Sequence, residues 1–480
     1  MKKNIICKIF IFSIFLMANT AIFGKNAYQI KVKIDNYSES ELYLGNRFAD
    51  KTYIKDTAKV TTDGFFIFQG AEELPGGIYL IIFKDKKFLE ILVDKEDQNF
   101  SIQTDYNNLF EKLKFKNSPT NELFYNYMTY LSKKRPEADS LRAQIGRTKE
   151  EKEKSSLEQK MSKLDEDVIN YQNKVAEKNP KSMVAALINS SKEVAIPDFK
   201  GSDKEVQMQK YLYYRAHYFD NMNLADSRLM RTNILDARVN FFISKLTPQH
   251  PDSISVAIDY LLEKMKPSDD IYHYYVVQFL NNYAKSDLVG MDAVYVHIAK
   301  KYYASGQAPW ISKEDSAKIV KNAETLEPIL IGKKAPQLFP LERRDSTLTS
   351  LYDQLTADYN VLIFWASDCG HCKKSAPKMV EFEAKYAKKN TKVITICTDK
   401  GSVGKCWEAA DERKYDKMTN LTDSFIRSRY FQIYDVRTTP KVYVIAKDKE
   451  ILMKNVSFEQ MLDENILDKL IEGREKEKKK

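Results

Sequence analysis

Cysteine and histidine are both scarce, with five of each among 480 residues. No cysteine lies between Cys7 and Cys369, and the last four fall together between Cys369 and Cys406. Disulfides that stabilise a secreted protein are expected where its domains are weakest, but these cysteines gather in one region. Their distribution therefore favours a chemical role for this region of the chain.

The remaining polar residues suggest neither a metal site nor a nucleic-acid surface. The histidines other than His371 are scattered and form no cluster with the spacing of metal ligands. Lys and Arg number 76 against 67 Asp and Glu, and the two signs are mixed along most of the chain. A protein that binds nucleic acid is expected to carry a basic stripe instead. We predict no metal, no cofactor and no nucleic-acid partner.

Long apolar runs are also rare. The run Ile9–Phe23 follows three lysines and ends near small residues, as in a secretion signal. Its roughly 15 residues fall short of the ~20 that span a bilayer, so a cleaved signal at residues 1–24 is favoured over an uncleaved anchor. Cys7 lies too early to accept a lipid after the run. We therefore expect an exported protein of the periplasm or cell envelope that is not a lipoprotein.

Residues 25–117 alternate apolar and polar side chains, as in Ile30, Val32 and Ile34. Turn signals such as Asp63-Gly64 separate the alternating segments. Short strands at this spacing predict an antiparallel β-sandwich of about seven strands. Because no polar cluster in it calls for catalysis, we interpret it as a docking or packing module.

Residues 118–327 have the periodicity of helices. Apolar residues recur at alternating spacings of four and three from Leu157 to Val175, which predicts one long helix with a narrow apolar seam. Prolines such as Pro197, Pro248 and Pro251 separate shorter helical segments further on. We predict a central all-α domain.

Residues 328–473 alternate strand and helix patterns, which predicts a C-terminal α/β domain. The charged tail, residues 474–480, is expected to be disordered. The predicted elements, in chain order, are a buried strand Val361–Trp365, a helix from Cys369, a strand Val393–Ile396, helices Val403–Arg413 and Asp423–Tyr430, strands Lys441–Ala446 and Ile451–Val456, and a helix Phe458–Ile471.

Cys369-Gly370-His371-Cys372 lies where the buried strand ends and a helix begins. Backbone N–H groups at a helix N-terminus stabilise a thiolate, which is the attacking species in disulfide exchange. We predict that Cys369 is the nucleophile and Cys372 the resolving thiol of a redox-active disulfide. A zinc site would need Cys397 and Cys406 as further ligands, and their expected positions at a strand end and in a helix suit one poorly.

The segment resembles the TlpA/ResA type of exported thiol–disulfide oxidoreductases, with a thioredoxin fold and an AhpC/TSA-redoxin-like domain. The resemblance is carried by five matches: Gly332–Pro336, Phe364–Ser367, Pro377, Thr395–Lys400 and Tyr434–Pro440. It implies a cis peptide before Pro440 and a substrate strand paired with the backbone of Thr439. It also implies a substrate-binding role for Trp365.

The dipeptide Gly370-His371 resembles that of protein disulfide isomerase, which implies that His371 stabilises the thiolate and raises the reduction potential. We expect a potential above the ~−270 mV of thioredoxin. Two residues differ from those of thioredoxin and its relatives, so the redox properties need not be the same. Ile363 stands where thioredoxin has a buried aspartate, and the charge of Asp368 should disfavour a thiolate on Cys369.

The predicted function is the exchange of disulfides with protein substrates of the envelope, supported by an upstream membrane electron donor or acceptor. Direction and oligomeric state are left open. For Cys397 and Cys406, free thiols are slightly favoured over a second disulfide. A peroxiredoxin is an alternative, although Ala366, Ser367 and Asp368 do not supply the threonine that its active site needs.

A partner-binding or scaffold protein with an accessory redox domain is the other alternative. The N-terminal regions resemble uncharacterised β-rich and helical modules that precede such redox domains in envelope proteins of Gram-negative bacteria. The segments Tyr218–Asn221 and Leu246–Pro251 carry that resemblance for the helical region.

Overall fold

A computed structural model describes residues 26–478 of the chain. The predicted secretion signal, residues 1–24, lies outside the described residues. The chain divides into two compact units between Ala237 and Arg238. Among the helices of residues 26–478, none is both long enough and apolar enough to cross a membrane.

The first unit begins with a β-sandwich of two four-stranded sheets, in the orders β4-β1-β7-β8 and β3-β2-β5-β6. Along β1, alternate side chains from Tyr28 to Ile34 are buried, because successive residues of a strand face opposite sides. The strands are β1 Tyr28–Asp35, β2 Glu41–Phe48, β3 Lys51–Lys59, β4 Phe65–Gly70, β5 Gly77–Ile82, β6 Phe88–Val93, β7 Asn99–Asp105 and β8 Lys114–Lys116.

The predicted β-sandwich is confirmed, with one difference in strand direction. β1 and β7 pair in parallel, with Ile30 opposite Phe100, whereas an all-antiparallel arrangement was expected. Parallel neighbours need a long connection between them. Here the chain between β1 and β7 supplies one, since it forms the whole second sheet and β4.

Helices follow the sandwich in the first unit. Leu157 and Leu164 of the predicted seam are buried together with Leu141 of the preceding helix, so the two long helices form a hairpin. Asn121 attaches this hairpin to the sandwich through hydrogen bonds with the backbone N–H and carbonyl of Leu92, at 2.8 and 2.7 Å. The helices are α1 Pro119–Arg147, α2 Glu151–Lys178, α3 Met183–Ser191 and α4 Asp203–His217, with a 3₁₀ turn at Ser227–Arg231.

The predicted helical domain, residues 118–327, extends across the division between the units, and its bounds stay a prediction. In the second unit, Lys454 of the C-terminal domain binds Asp292 and donates to the Ile329 carbonyl at 2.8 Å. The remaining helices before the C-terminal domain are α5 Ile234–Lys245, α6 Pro251–Met265, α7 Asp269–Ala284, α8 Asp292–Ile298 and α9 Lys313–Leu326, with a π-helix at Ala299–Ala304 and a 3₁₀ turn at Glu327–Ile329.

The C-terminal domain is built on a seven-stranded sheet in the order β10-β9-β13-β12-β11-β14-β15. β11 is buried along its whole length, between β12, which is parallel to it, and β14, which is antiparallel. The strands are β9 Leu341–Glu342, β10 Leu348–Thr349, β11 Tyr359–Trp365, β12 Thr391–Cys397, β13 Thr419–Thr422, β14 Lys441–Ala446 and β15 Ile451–Lys454.

The helices of this domain cover both faces of the sheet, with separate apolar clusters on each face. This is the α/β arrangement that the sequence predicts. The helices are α10 Leu351–Gln354, α11 Gly370–Tyr386, α12 Val403–Glu412, α13 Tyr430–Ile433, α14 Phe458–Asp463 and α15 Ile466–Lys478, with a 3₁₀ turn at Ala387–Lys389.

Two expectations for this domain are wrong. The segment Asp423–Tyr430 forms turns instead of a helix, because the Asp423 carboxylate accepts the backbone N–H groups of Arg427 and Ser428 at 2.9 and 2.8 Å. The charged tail is helical as far as Lys478, within α15. Arg474 in it donates to Glu450 at 2.8 Å, which fixes that side of the helix to the sheet.

Candidate active site

Cys369 is the N-cap residue of α11, directly after the loop that follows the buried strand β11. The Cys372 backbone N–H donates to the Cys369 sulfur at 3.1 Å, in the place that a serine or aspartate oxygen takes in an ordinary cap. A helix N-terminus carries partial positive charge. The sulfur of Cys369 is therefore held where a negative charge is stabilised.

The two cysteines are free thiols in different surroundings, since Cys369 is partly exposed and Cys372 is fully buried. Burial opposes ionisation of Cys369, but hydrogen bonds from the side chains of Cys372 and Thr439 and from the Cys372 backbone N–H outweigh it, so the pKa of Cys369 is lowered. The backbone N–H of His371 contributes in the same direction. Burial, with the hydrogen bond to Cys369, raises the pKa of Cys372 to about 11. One thiol is thus prepared to ionise and the other to stay protonated.

Thr439 lies directly beside the Cys369 sulfur. The thiol is 3.2 Å from the Thr439 carbonyl oxygen, to which it donates, and the Thr439–Pro440 peptide is cis. Pro440 leads into β14, which pairs with β11 next to the cysteines. The structure therefore brings Cys369, Thr439 and Pro440 together as the sequence predicts, while the substrate-binding role of the last two stays a prediction.

Three other residues singled out in the sequence surround the cysteines. The side chains of His371 and Asp368 are exposed, so water screens their charges. The contribution of His371 to the lowered pKa of Cys369 comes from its backbone N–H. Ile363 is buried in β11 between Thr395 and Val442. It places an apolar side chain where thioredoxin has a carboxylate.

Comparisons with known families agree with this geometry. Residues 331–453 match the model of the AhpC/TSA family. The C-terminal domain is a thioredoxin-like oxidoreductase domain of that family. Residues 28–124 match a domain of unknown function, DUF4369, and residues 147–327 match another, DUF5106. The uncharacterised β-rich and helical modules expected before the redox domain are thereby confirmed.

Solved structures resemble the chain in part. A thioredoxin-like protein from Bacteroides caccae is 19% identical over 58% of this chain and 98% of its own, with a TM-score of 0.43. A domain of a possible thiol-disulfide isomerase from Cytophaga hutchinsonii is 30% identical over 32% of this chain and 97% of its own, with a TM-score of 0.28. The thioredoxin domain of a thiol-disulfide oxidoreductase from Bacteroides vulgatus is 17% identical over 26% of this chain and 89% of its own, with a TM-score of 0.24. No curated protein matches the chain.

The assignment of Trp365 to substrate binding requires correction. Its side chain is 1% exposed in the core of the thioredoxin-like domain. The indole packs edge-on against Tyr415, with ring centroids 5.4 Å apart, and the Arg413 guanidinium lies 4.8 Å from its ring. Trp365 is the last residue of β11, and its side chain lies in the same apolar cluster as Cys372. It therefore packs inside the domain, next to the loop that leads to the cysteines.

Cys397 and Cys406 form a disulfide, which corrects the preference for free thiols. Cys397 ends β12 and Cys406 lies in the first turns of α12, with their Cα atoms 5.9 Å apart, a separation that disulfides commonly span. Since their sulfurs are bonded to each other, they do not complete a zinc site with Cys369 and Cys372.

Sequence reasoning missed two residues of this site, Asp399 and Arg413. The Asp399 carboxylate accepts the Ser367 backbone N–H at 3.0 Å, and Arg413 donates to the Ser367 carbonyl at 2.6 Å. Both lie more than 25 positions after Cys372 in sequence, and no spacing rule connects them to the cysteines. The parallel pairing of β11 with β12 brings Asp399 to the loop, and α12 brings Arg413, its C-cap residue, to the same place.

A groove of about 350 Å³ adjoins Thr439 on the surface of the thioredoxin-like domain. Its walls combine apolar and basic side chains, among them Tyr430, Phe431, Lys400 and Arg437.

Proposed function

We propose that this protein exchanges disulfides and dithiols with protein substrates through Cys369 and Cys372. The observation that carries the proposal is the contrast between the two thiols. Cys369 is partly exposed and has a lowered pKa, which suits it to attack a substrate disulfide. Cys372 is buried with a pKa raised to about 11, so it stays protonated until a mixed disulfide has formed on Cys369.

In the reductive direction, the Cys369 thiolate attacks one sulfur of a substrate disulfide. A bond forms between Cys369 and that sulfur, the substrate disulfide breaks, and the other substrate sulfur leaves as a thiolate that takes up a proton. Cys372 then loses its proton and attacks the Cys369 sulfur, which releases the second substrate thiol. Cys369 and Cys372 end as a disulfide, oxidised by two electrons, and the substrate is reduced by two.

The reverse sequence oxidises a substrate dithiol, and the chain's own residues serve both directions. The N–H groups at the start of α11 stabilise the Cys369 thiolate whenever it attacks or leaves. The Thr439 carbonyl, beside the Cys369 sulfur, accepts a backbone N–H from an extended substrate segment. A membrane electron donor or acceptor restores the starting state between cycles.

We place this activity in the periplasm or cell envelope of a Gram-negative bacterium. The apolar run and lysines at the start of the sequence support export. The disulfide Cys397–Cys406 supports it as well, because buried disulfides persist in oxidising compartments and are rare in the cytosol.

Trapping tests the proposal. Cys372→Ala removes the resolving thiol, so substrates should accumulate as mixed disulfides on Cys369. These are detected as covalent adducts that a reductant cleaves. The double variant Cys369→Ala/Cys372→Ala is the control and should trap nothing. Absence of adducts from the single variant in envelope extracts, together with no exchange with a model protein disulfide, would refute the proposal.

The two alternatives predict other outcomes. A peroxidase would consume hydrogen peroxide in a Cys369-dependent way, and Ala366 in place of the threonine of peroxiredoxins argues against it. A scaffold protein would keep its cellular role in the Cys369→Ser variant. We expect that variant to lose its role and the wild type to consume no peroxide.

A further inference from the structure

The loop Ala366–Asp368 connects the buried end of β11 to the nucleophilic Cys369. The backbone of Ala366 in this loop interacts with both Cys369 and Cys372. The Cys369 N–H donates to the Ala366 carbonyl at 3.4 Å. A backbone hydrogen bond from Ala366 works against the burial that raises the pKa of Cys372. A displacement of Ala366 would therefore alter the surroundings of both thiols together.

Arg413 holds this loop from one side. Its guanidinium donates to the Ala366 carbonyl at 3.3 Å and to the Ser367 carbonyl at 2.6 Å, while it covers the Trp365 ring at 4.8 Å. The planar fork of arginine suits two adjacent acceptors at once, which a lysine cannot reproduce. The contact with the indole adds a cation–π interaction.

Asp399 holds the same loop from the other side. Its two carboxylate oxygens lie 3.0 and 3.2 Å from the Ser367 backbone nitrogen, which donates to them. Just before it, Thr398 donates from its N–H and its hydroxyl to the Trp365 carbonyl, at 2.8 and 3.0 Å. The end of β11 and the start of the loop, residues 365–367, are thus fixed by one stretch of chain that runs from the end of β12 to Arg413.

The disulfide Cys397–Cys406 lies within the stretch of chain from the end of β12 to Arg413 and closes a covalent loop in it. It joins the last residue of β12 to α12, whose C-cap is Arg413, and its sulfurs lie within 4.8 Å of a carboxylate oxygen of Asp399. Both cysteines are buried. The covalent link therefore fixes the two ends from which Asp399 and Arg413 reach the active-site loop.

We propose that Arg413 is a positioning residue for the Cys369–Cys372 pair and that the disulfide Cys397–Cys406 holds Arg413 in place. The inference rests on the proposed function, since it concerns the reactivity of the same pair. Arg413 acts through the carbonyls of Ala366 and Ser367, so the N–H groups around the two sulfurs keep the geometry that stabilises a thiolate.

The first test compares Arg413→Met with the matched control Arg344→Met. Arg344 pairs with Asp411 at 2.8 Å and so holds the exposed side of the same helix without touching the active-site loop. Arg413→Met should slow alkylation of Cys369 at pH 7 by ~5-fold or more, since the thiolate is the reactive form. Arg344→Met should react at the wild-type rate.

The second readout is the equilibrium of the Cys369–Cys372 couple with glutathione. Arg413→Met should shift the equilibrium constant by ~10-fold toward the disulfide, which is about 30 mV toward a more reducing couple. Arg413→Lys keeps the charge but not the fork, so it should recover less than half of the shift. Thermal unfolding of each variant separates this effect from a general loss of the fold.

The variant Cys397→Ala/Cys406→Ala tests the role of the disulfide. It should shift the equilibrium with glutathione in the same direction as Arg413→Met but by less. Adding the two cysteine substitutions to Arg413→Met should then change little, because the disulfide acts through Arg413 and the two effects are not additive.

Two outcomes overturn the inference while leaving the proposed function intact. One is an Arg413→Met variant with wild-type alkylation and equilibrium; the other is full additivity of Arg413→Met with the loss of the disulfide. A wild-type protein whose Cys369 neither alkylates at pH 7 nor equilibrates with glutathione would instead refute the proposed function itself.

Discussion

The Cys369 sulfur lies 3.2 Å from the carbonyl oxygen of Thr439, the residue before the cis peptide to Pro440. In the dithiol form, Cys369 donates its proton to that carbonyl. Once the thiol ionises or forms a mixed disulfide, the carbonyl is free to accept an N–H from another chain. The same carbonyl oxygen therefore accepts the thiol proton of Cys369 in the dithiol form and becomes available to another donor once Cys369 has reacted.

The two thiols should differ in reactivity with pH. Since the pKa of Cys369 is lowered, its alkylation should reach half its maximal rate at a lower pH than that of an ordinary thiol. Cys372 should stay unlabelled until the pH approaches about 11. Mass spectrometry of the reduced pair after brief alkylation at pH 8 should find one label, on Cys369. Equal labelling of the two would contradict the assigned roles.

His371 should act on the couple through its backbone. His371→Ala keeps the N–H that favours the Cys369 thiolate and removes only an exposed ring, so we expect the potential to fall by less than ~30 mV. His371→Pro removes that N–H at a helix position where proline is tolerated, and should lower the potential by more. Equilibration with glutathione measures both. For the wild type we expect a potential above ~−270 mV.

Similar potentials for the alanine and proline variants, both well below the wild type, would show that the imidazole does the tuning. That result would restore the interpretation drawn from the resemblance to protein disulfide isomerase.

Asp259 should stabilise the second unit in a pH-dependent way. Burial opposes its ionisation, but bonds from His297, Lys301 and Tyr302 outweigh that and lower the pKa of Asp259 to about 2. Its contribution is therefore complete above the unfolded pKa of ~3.9 and is lost as the pH falls toward about 2. Asp259→Asn should cost about 1–2 kcal/mol at pH 7, after allowance for solvent screening.

Urea unfolding measures this difference selectively. All three tryptophans, Trp310, Trp365 and Trp407, lie in the second unit, so their fluorescence reports its unfolding. The gap between wild type and Asp259→Asn should narrow below about pH 4. The exposed Asp416→Asn should show no comparable loss at pH 7, and a gap that is constant from pH 7 to pH 3 would contradict the ionic origin.

Lys454 should be a major stabilising residue of the second unit. Its side chain is 2% exposed, and it binds the Asp292 carboxylate and the Ile329 carbonyl. Lys454→Met removes the donor to the Asp292 carboxylate and the Ile329 carbonyl. Because these acceptors are shielded from water in part, we expect the free energy of unfolding to fall by about 3 kcal/mol. The exposed Lys447→Met of the same hairpin is the control and should stay within ~0.5 kcal/mol of wild type.

A double-mutant cycle with Asp292→Leu separates pairing from packing. The double variant should be less destabilised than the sum of the single variants, because it leaves no unpaired charge behind. Strict additivity would show that the ion pair contributes nothing of its own.

Local patterns in the sequence predicted the fold class and the central pair of cysteines. Alternation in β1 and the apolar seam of α2 reflect periods of two and 3.6 residues that any strand or helix must obey. The start of α11 at Cys369 follows from the same kind of local signal. The helix predicted at Asp423–Tyr430 does not form, because the Asp423 carboxylate accepts the backbone N–H groups of Arg427 and Ser428 and folds the segment into turns.

The sequence by itself determined that the Cys-x-x-Cys pair lies at the start of a helix, with Cys369 at its N-terminus and Cys372 one turn behind it. Only the tertiary structure decided that Trp365 belongs to the core, that Cys397 bonds to Cys406, and that Arg413 and Asp399 hold the loop before Cys369. The physical reason is range. Capping and periodicity act within a few residues, whereas burial and hydrogen bonds between β11, β12 and α12 exist only after the sheet has assembled.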